Sequence, residues 1–172
     1  NKKIKLAFLS SDIRNNHSIT GFLKTVVTNV NKNKFELILF SNCKINKEDK
    51  TSKDFQNFFD EWINISSLND IEAIREIRKY SIDIIIDLMG LSSSNRIALF
   101  KNRLAPTQIL WLGYNNTSGL KEMDYLMVDP NLIEKKEAKF YSEKLLFLPS
   151  IWNCHSGFTS SRKETYPPLI KN

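Results

Sequence analysis

The chain has 172 residues, 41% apolar, 26% charged, with a formal net charge of +6; that is enough for one well-buried domain and excludes a disordered or fibrous protein. No apolar window is long enough to cross a bilayer, and the start NKKIKLAFLSSD carries no signal-peptide cleavage pattern, so a cytoplasmic domain without a membrane partner is expected. The positive charge is interleaved with acid, as in KINKEDKTSKD, which describes a solvated surface and not a nucleic-acid footprint.

The predicted elements alternate. Ile4 to Leu9 is an apolar run of strand length, suited to burial on both faces. Ile19, Phe22, Leu23, Val26, Val27 and Val30 then form one apolar stripe on a 3.6-residue period, with Ser18 placed as cap. Phe35 to Phe40 is the second strand, Asn42 to Ser52 a polar loop leading to a helix near Phe55 to Phe59, and Trp62 to Ile65 a short third strand. A helix capped within Ser67 to Asn69 carries Ile71, Ile74 and Ile77, and Ile82 to Leu88 follows as the strongest strand signal in the chain. Asn95 to Asn102 reads as a short helix, with strands at Thr107 to Leu112, Tyr125 to Val128 and Leu145 to Leu148. Such alternation implies right-handed crossovers: an α/β, Rossmann-like parallel sheet with helices on both faces.

In such sheets ligands bind beyond the carboxyl ends of the strands, among loops and helix amino termini. Here those ends are SSDIRNNHSIT, MGLSSSNR and GYNNTSG, all rich in small polar residues, whereas the opposite ends are ordinary charged surface. His17 stands out, because a helix amino terminus favours the neutral imidazole, which can accept a proton, and Asp12 five residues earlier can orient it. Each feature also has a plainer reading: Asn16 and Ser18 as caps, Gly90 and Gly113 as turn residues, Asp87 as a strand-end acceptor of backbone bonds. No dinucleotide fingerprint, Walker lysine, nucleophile elbow or zinc-protease motif is present. Cys43 and Cys154 stand far apart and support neither a metal site nor a disulfide framework, and His155 reads as structural or surface.

Three segments, FLSSDIRNNHSITGFL, IDIIIDLMGLSSSNRIALFKNRLAPTQILWLGYNNTSGLKEMDYLMVDP and FYSEKLLFLP, together resemble the amino-terminal catalytic lobe of the O-linked N-acetylglucosamine transferase and SPINDLY family of protein O-glycosyltransferases. The resemblance implies one lobe of a GT-B glycosyltransferase, with residues 1–163 forming the acceptor side and 164–172, including the proline pair of TYPPLIKN, leading toward a carboxyl-terminal nucleotide-sugar lobe. It implies Asp12 and His17 as catalytic residues and Tyr114, Asn116, Thr117, Ser118 and Gly119 as substrate-binding residues. It further implies no metal and no cofactor, a donor that is UDP-N-acetylglucosamine or GDP-fucose, and as partners acceptor proteins with Ser or Thr, the second lobe and upstream tetratricopeptide repeats. An inverting transfer to a hydroxyl is expected, with the isolated lobe inactive. DIRNNH has four residues between Asp and His where the family pattern has three, and Leu104 and Asn115 replace its prolines, while Asn116 is closer to the SPINDLY branch. A non-catalytic Rossmann-like interaction module stays open as the alternative, and a flavodoxin-like enzyme is disfavoured by the lack of a phosphate-cradling turn after the first strand.

Overall fold

The structure, a computed structural model, describes residues 2–155; the expected lobe boundary at 163 and the linker beyond it lie outside the described residues. Among the described residues seven strands alternate with three α-helices as far as β4, and only 3-10 segments or loop join the strands after it: β1 Ile4–Ser10, α1 Ser18–Asn29, β2 Phe35–Ser41, α2 Lys50–Gln56, β3 Glu61–Asn64, α3 Asp70–Arg78, β4 Ile84–Asp87, β5 Thr107–Leu110, β6 Tyr125–Val128 and β7 Lys144–Phe147. They form one parallel sheet in the order β3-β2-β1-β4-β5-β6-β7. Strand order therefore reverses between β1 and β4, where the loops after these strands run to opposite sides and leave a crevice.

The sheet is apolar on both faces, as the unbroken hydrophobic runs require. On one side Ala7, Leu9, Ile38, Phe40, Ile85 and Leu110 pack with Ala73 and Ile77 of α3 and with Leu99 and Phe100. On the other, Phe8, Leu37, Leu39, Ile86 and Ile109 pack with Ile19, Leu23 and Val27 of α1 and with Phe55 of α2. Each such side chain removed from water contributes roughly 1.5–3 kcal/mol.

Several element ends differ from the sequence reading, each for a local reason. α1 is capped by His17 instead of Ser18: His17 keeps extended backbone (φ −105, ψ 133) and its side chain accepts from the Ile19 N–H, while Ser18 is already helical. α2 begins at Lys50 and ends before Phe58 and Phe59, because Asp49 and Ser52 form a reciprocal capping box that fixes the start inside a charged run read as loop. The expected helix from Asn95 is a 3-10 segment, Ile97–Asn102, closed by Arg103 in the left-handed region (φ 49). β5 leaves the sheet early, since Leu112 turns to φ 78.

Between the sheet and the 3-10 segment, Gln108 is fully buried and fully bonded. Its amide donates to the Phe100 and Glu122 carbonyls (2.9 and 2.7 Å), and its oxygen accepts from the Leu104 N–H (2.7 Å). This ties the chain entering β5 to the chain leaving it.

The exits of β4 and β5 are shaped by glycine. A Cβ on Gly113 would lie 1.9 Å from the Leu88 carbonyl oxygen, and one on Gly90 (φ +55) would lie 2.4 Å from Tyr114 Cβ. Asp87, with no exposure, closes the β4 exit by accepting from the Gly90 N–H (2.7 Å) and the Met89 N–H (3.3 Å). Burial outweighs these two bonds and pushes its carboxyl up to about 7.

Gly113→Ala is expected to destabilise the fold by about 3 kcal/mol or more, because backbone must move to admit the methyl group. Gly119→Ala, with open space around it but φ +72, is expected to cost only ~1 kcal/mol; chemical denaturation of the two variants checks the ranking. Asp87 sets a pH dependence whose sign follows from its raised carboxyl. The native state holds this proton more tightly than the unfolded chain, so the stabilisation is complete below the unfolded value and is lost as pH rises through about 7. The stability difference between wild type and Asp87→Asn is therefore expected to fall between about pH 4 and about pH 7 and to level off above, by at most ~1.4 kcal/mol per unit, in a pH series of denaturation curves.

Candidate functional site

The loop after β1 is held from two sides. The buried Thr20 hydroxyl of α1 donates toward the Asp12 and Arg14 carbonyls (3.1 and 2.8 Å) and accepts from the Arg14 N–H (3.0 Å). From α2, the Ser52 hydroxyl donates to the Ile13 carbonyl (2.7 Å) and Asp49 accepts from the Asn15 N–H (2.8 Å). The Asn15 N–H, first among several donors, holds the Asp49 carboxyl below its usual range. Asn16 takes the left-handed conformation (φ 57), which asparagine tolerates better than most residues.

That turn decides how the long spacer ends. With four residues between them, Asp12 Oδ1 and His17 Nε2 still lie 3.6 Å apart, and Arg14 Nη2 lies 3.5 Å from the same oxygen. The Asp12 carboxylate is mostly shielded (side chain 16% exposed), whereas the His17 ring is 31% exposed and open to a ligand. Because His17 Nδ1 accepts from the Ile19 N–H (3.4 Å), the neutral ring carries its proton on Nε2, facing Asp12. In this state the imidazole offers a donor. Accepting a proton at Nε2 requires the other tautomer, with its hydrogen on Nδ1, which gives up the cap at a cost of about 1 kcal/mol.

A cavity of about 250 Å³ opens beside this pair. Asp12, Arg14 and His17 line it from the β1 loop, Leu88, Ser92 and Ser93 from the β4 loop, and Leu112 and Gly113 from the β5 exit. A neighbouring cavity of about 350 Å³ shares Asp12 and Arg14 and adds Lys44, Lys47 and Arg96. The loops after the first, fourth and fifth strands thus meet over the switch point.

At the β5 exit the Gly113 N–H donates to the Trp111 carbonyl (3.0 Å), closing a three-residue turn centred on Leu112 at φ 78. This is the strained form of the γ-turn. It throws Tyr114 and the following loop back across the end of β4.

Thr117 and Ser118 do not line that cavity, and their hydroxyls point to Glu143. Thr117 Oγ1 donates to Glu143 Oε2 (2.7 Å), the Ser118 N–H donates to Oε1 (2.7 Å), and Ser118 Oγ bonds Oε1 as well. Gly119 N–H donates back to Thr117 Oγ1 (3.1 Å). Asn115, Asn116 and Gly119 are exposed and Tyr114 is half-buried against Gly90. His155 lies against Gly21 and meets Phe22 edge-on at 5.1 Å.

The residues that sequence reasoning passed over are Thr20, Leu112 and Glu143. Thr20 reads as one more helix residue and Leu112 as the end of a strand. Glu143 sits in the charged run YSEK, which gives no sign that it is only 4% exposed.

Comparison with known proteins agrees with the parallel α/β fold. Over 175 residues the chain is 26% identical to the probable UDP-N-acetylglucosamine–peptide N-acetylglucosaminyltransferase SPINDLY of Arabidopsis thaliana, covering 99% of this chain and 19% of that protein. The probable transferase SEC of the same plant is 26% identical over 163 residues, covering 95% of this chain and 16% of that one. Among solved structures, a mutant of the Thermobaculum terrenum O-GlcNAc transferase superposes with a TM-score of 0.82 at 28% identity, over 88% of this chain and 29% of that chain. The chain spans less than a fifth of the length of these two plant relatives. The pattern of glycosyl transferase family 41 matches residues 1–161, nearly the whole of the sequence, and the chain belongs to that family.

Proposed function

We propose that this chain is the acceptor-side catalytic lobe of a protein O-glycosyltransferase that moves N-acetylglucosamine or fucose from a nucleotide sugar to Ser or Thr hydroxyls. The observation that carries the reading is the meeting of Asp12, His17 and the Gly113 exit at one cavity over the switch point, in a chain of family 41. Transfer requires the acceptor oxygen to be held in line with the anomeric carbon, and the acceptor proton to leave as the bond forms. Here His17 and Asp12 stand where an acceptor hydroxyl entering the cavity is met first by the imidazole, backed by the carboxylate. The Gly113 exit and Tyr114 form the adjoining wall, and the loop runs on from it toward Glu143, with Tyr114 and Asn116 offering side chains and Thr117, Ser118 and Gly119 small enough for a sugar or peptide backbone to come close.

The donor, UDP-N-acetylglucosamine as in the names of the plant relatives or GDP-fucose, is held mainly by a carboxyl-terminal lobe that the relatives' greater length has room for. No cofactor or metal takes part in this scheme. Tetratricopeptide repeats upstream select acceptor proteins, and a cytoplasmic setting matches nucleotide-sugar supply. Among the described residues no helix is long and apolar enough to cross a membrane.

The test is transfer by the full-length gene product, screened against UDP- and GDP-sugars with a protein acceptor. His17→Asn is the informative variant, because asparagine is itself a good helix cap. Its melting temperature is expected to stay within about 3 °C of wild type, while kcat/KM falls by about 100-fold or more. His17→Ala is expected to lose similar activity and ~1 kcal/mol of stability. A wild-type protein that binds partners but transfers no sugar would leave the interaction module as the better reading. The isolated 172 residues are expected to show no turnover.

A further inference from the structure

We propose that Glu143 is a positioning residue for transfer, a buried carboxylate that holds the 114–119 loop in its working shape from the far side. The inference rests on the reading of that loop as a wall of the transfer site. Glu143 immediately precedes β7 and is 4% exposed. Among the ion pairs of the described residues none involves it. A buried carboxylate without a cation must be stabilised by hydrogen-bond donors. Those donors come from the loop and from the residue beside it: Thr117 Oγ1 (2.7 Å), the Ser118 N–H (2.7 Å), Ser118 Oγ, and Ser142 Oγ (3.1 Å).

The contact is reciprocal across 25 residues of sequence. Thr117 Oγ1 accepts from the Ser142 N–H (3.3 Å) and the Gly119 N–H (3.1 Å), and Ser118 Oγ accepts from the Leu120 N–H (3.2 Å). Both hydroxyl protons of the loop are therefore directed inward, and the backbone from residue 117 to residue 120 is fixed by bonds that all lead to one carboxylate. Since the loop begins at the strained Leu112 turn, its far end needs an anchor if Tyr114 and Asn116 are to keep one position. Misplacement by about 1 Å is enough to cost about 100-fold in a reaction that depends on alignment.

The experiment uses the full-length protein with the nucleotide sugar it transfers, and reads hydrogen exchange across residues 114–120 beside transfer kinetics. Glu143→Ala is expected to raise exchange in that stretch by about tenfold or more while exchange in β1 and α1 holds, and to lower kcat by about tenfold or more with donor KM within ~3-fold. Glu143→Gln keeps an oxygen for the Ser118 N–H but turns an amide N–H toward Thr117 Oγ1, which already accepts from Ser142 and Gly119, so it is expected to fall between wild type and Glu143→Ala on both readouts. Adding Thr117→Val to Glu143→Ala is expected to lower the rate no further, because the two act as one unit. Should Glu143→Ala fail to fold, Ser118→Ala and Thr117→Val, each removing one bond to the carboxylate, carry the same paired measurement. Exchange that opens with kcat unchanged overturns the positioning role while leaving the transferase reading intact; a wild type that transfers nothing overturns the reading itself.

Discussion

The carboxyl edge of this lobe depends on one contact between backbones, Gly113 lying directly on the Leu88 carbonyl. A parallel strand normally continues upward out of the sheet before its loop bends, which would leave the β4 and β5 exits side by side without touching. Here β5 bends at once. The turn at Leu112 (φ 78) carries strain of about 1–3 kcal/mol, and it persists because its neighbours are fixed. Leu112 is 6% exposed, and the Trp111 indole N–H donates to the Trp152 carbonyl at 2.8 Å. A second contact that only glycine admits, Gly90 against Tyr114, joins the same two loops a few residues later. Two missing Cβ atoms thus convert parallel exits into a common wall.

The opposite wall obeys a different logic, hydrogen bonding in place of close packing. The β1 loop is fastened by Thr20 from α1 and by Asp49 and Ser52 from α2, so the two helices flanking the switch point both determine where Asp12 points. Asn16 turns the chain in a left-handed step, and His17 then serves both as the helix cap and as the ring that faces the cavity. Cap and site are the same side chain. Any change at position 17 therefore acts on helix and chemistry together unless the new residue can cap.

How much of this was legible in the sequence follows from the same distinction. The parallel sheet and its two-sided core could be read because continuous apolar runs such as LAFL of β1 and III of β4 stand beside the 3.6-residue stripe of α1, and both signals are local. The meeting of the β1, β4 and β5 loops followed from topology, since parallel strands place all their carboxyl ends on one edge. The individual ends were harder. The Asp49–Ser52 capping box was hidden in a charged run, His17 is an unusual cap, and the turn at Leu112 arises from tertiary contacts that no neighbouring residue announces. Glu143 was illegible for the strongest reason: its burial is created by a loop 25 residues away, and a glutamate flanked by serine and lysine carries no trace of it.

The hydroxyl-rich loop shows what such hidden partners change. From sequence, Thr117 and Ser118 look like groups offered to a ligand, because short hydroxyl residues after a buried strand are a common binding surface. With Glu143 in place their protons face the protein interior, and what the loop turns outward is its backbone, the ring of Tyr114 and the amides of Asn115 and Asn116. A surface of that kind recognises shape and backbone more than it performs proton transfer. Asp12 and His17 stand on the other wall, so on the proposed reading the two walls divide the work: one holds, the other exchanges the proton. The division accounts for why one wall is built from glycine contacts and a buried carboxylate, both of which fix geometry, while the other keeps an imidazole 31% exposed.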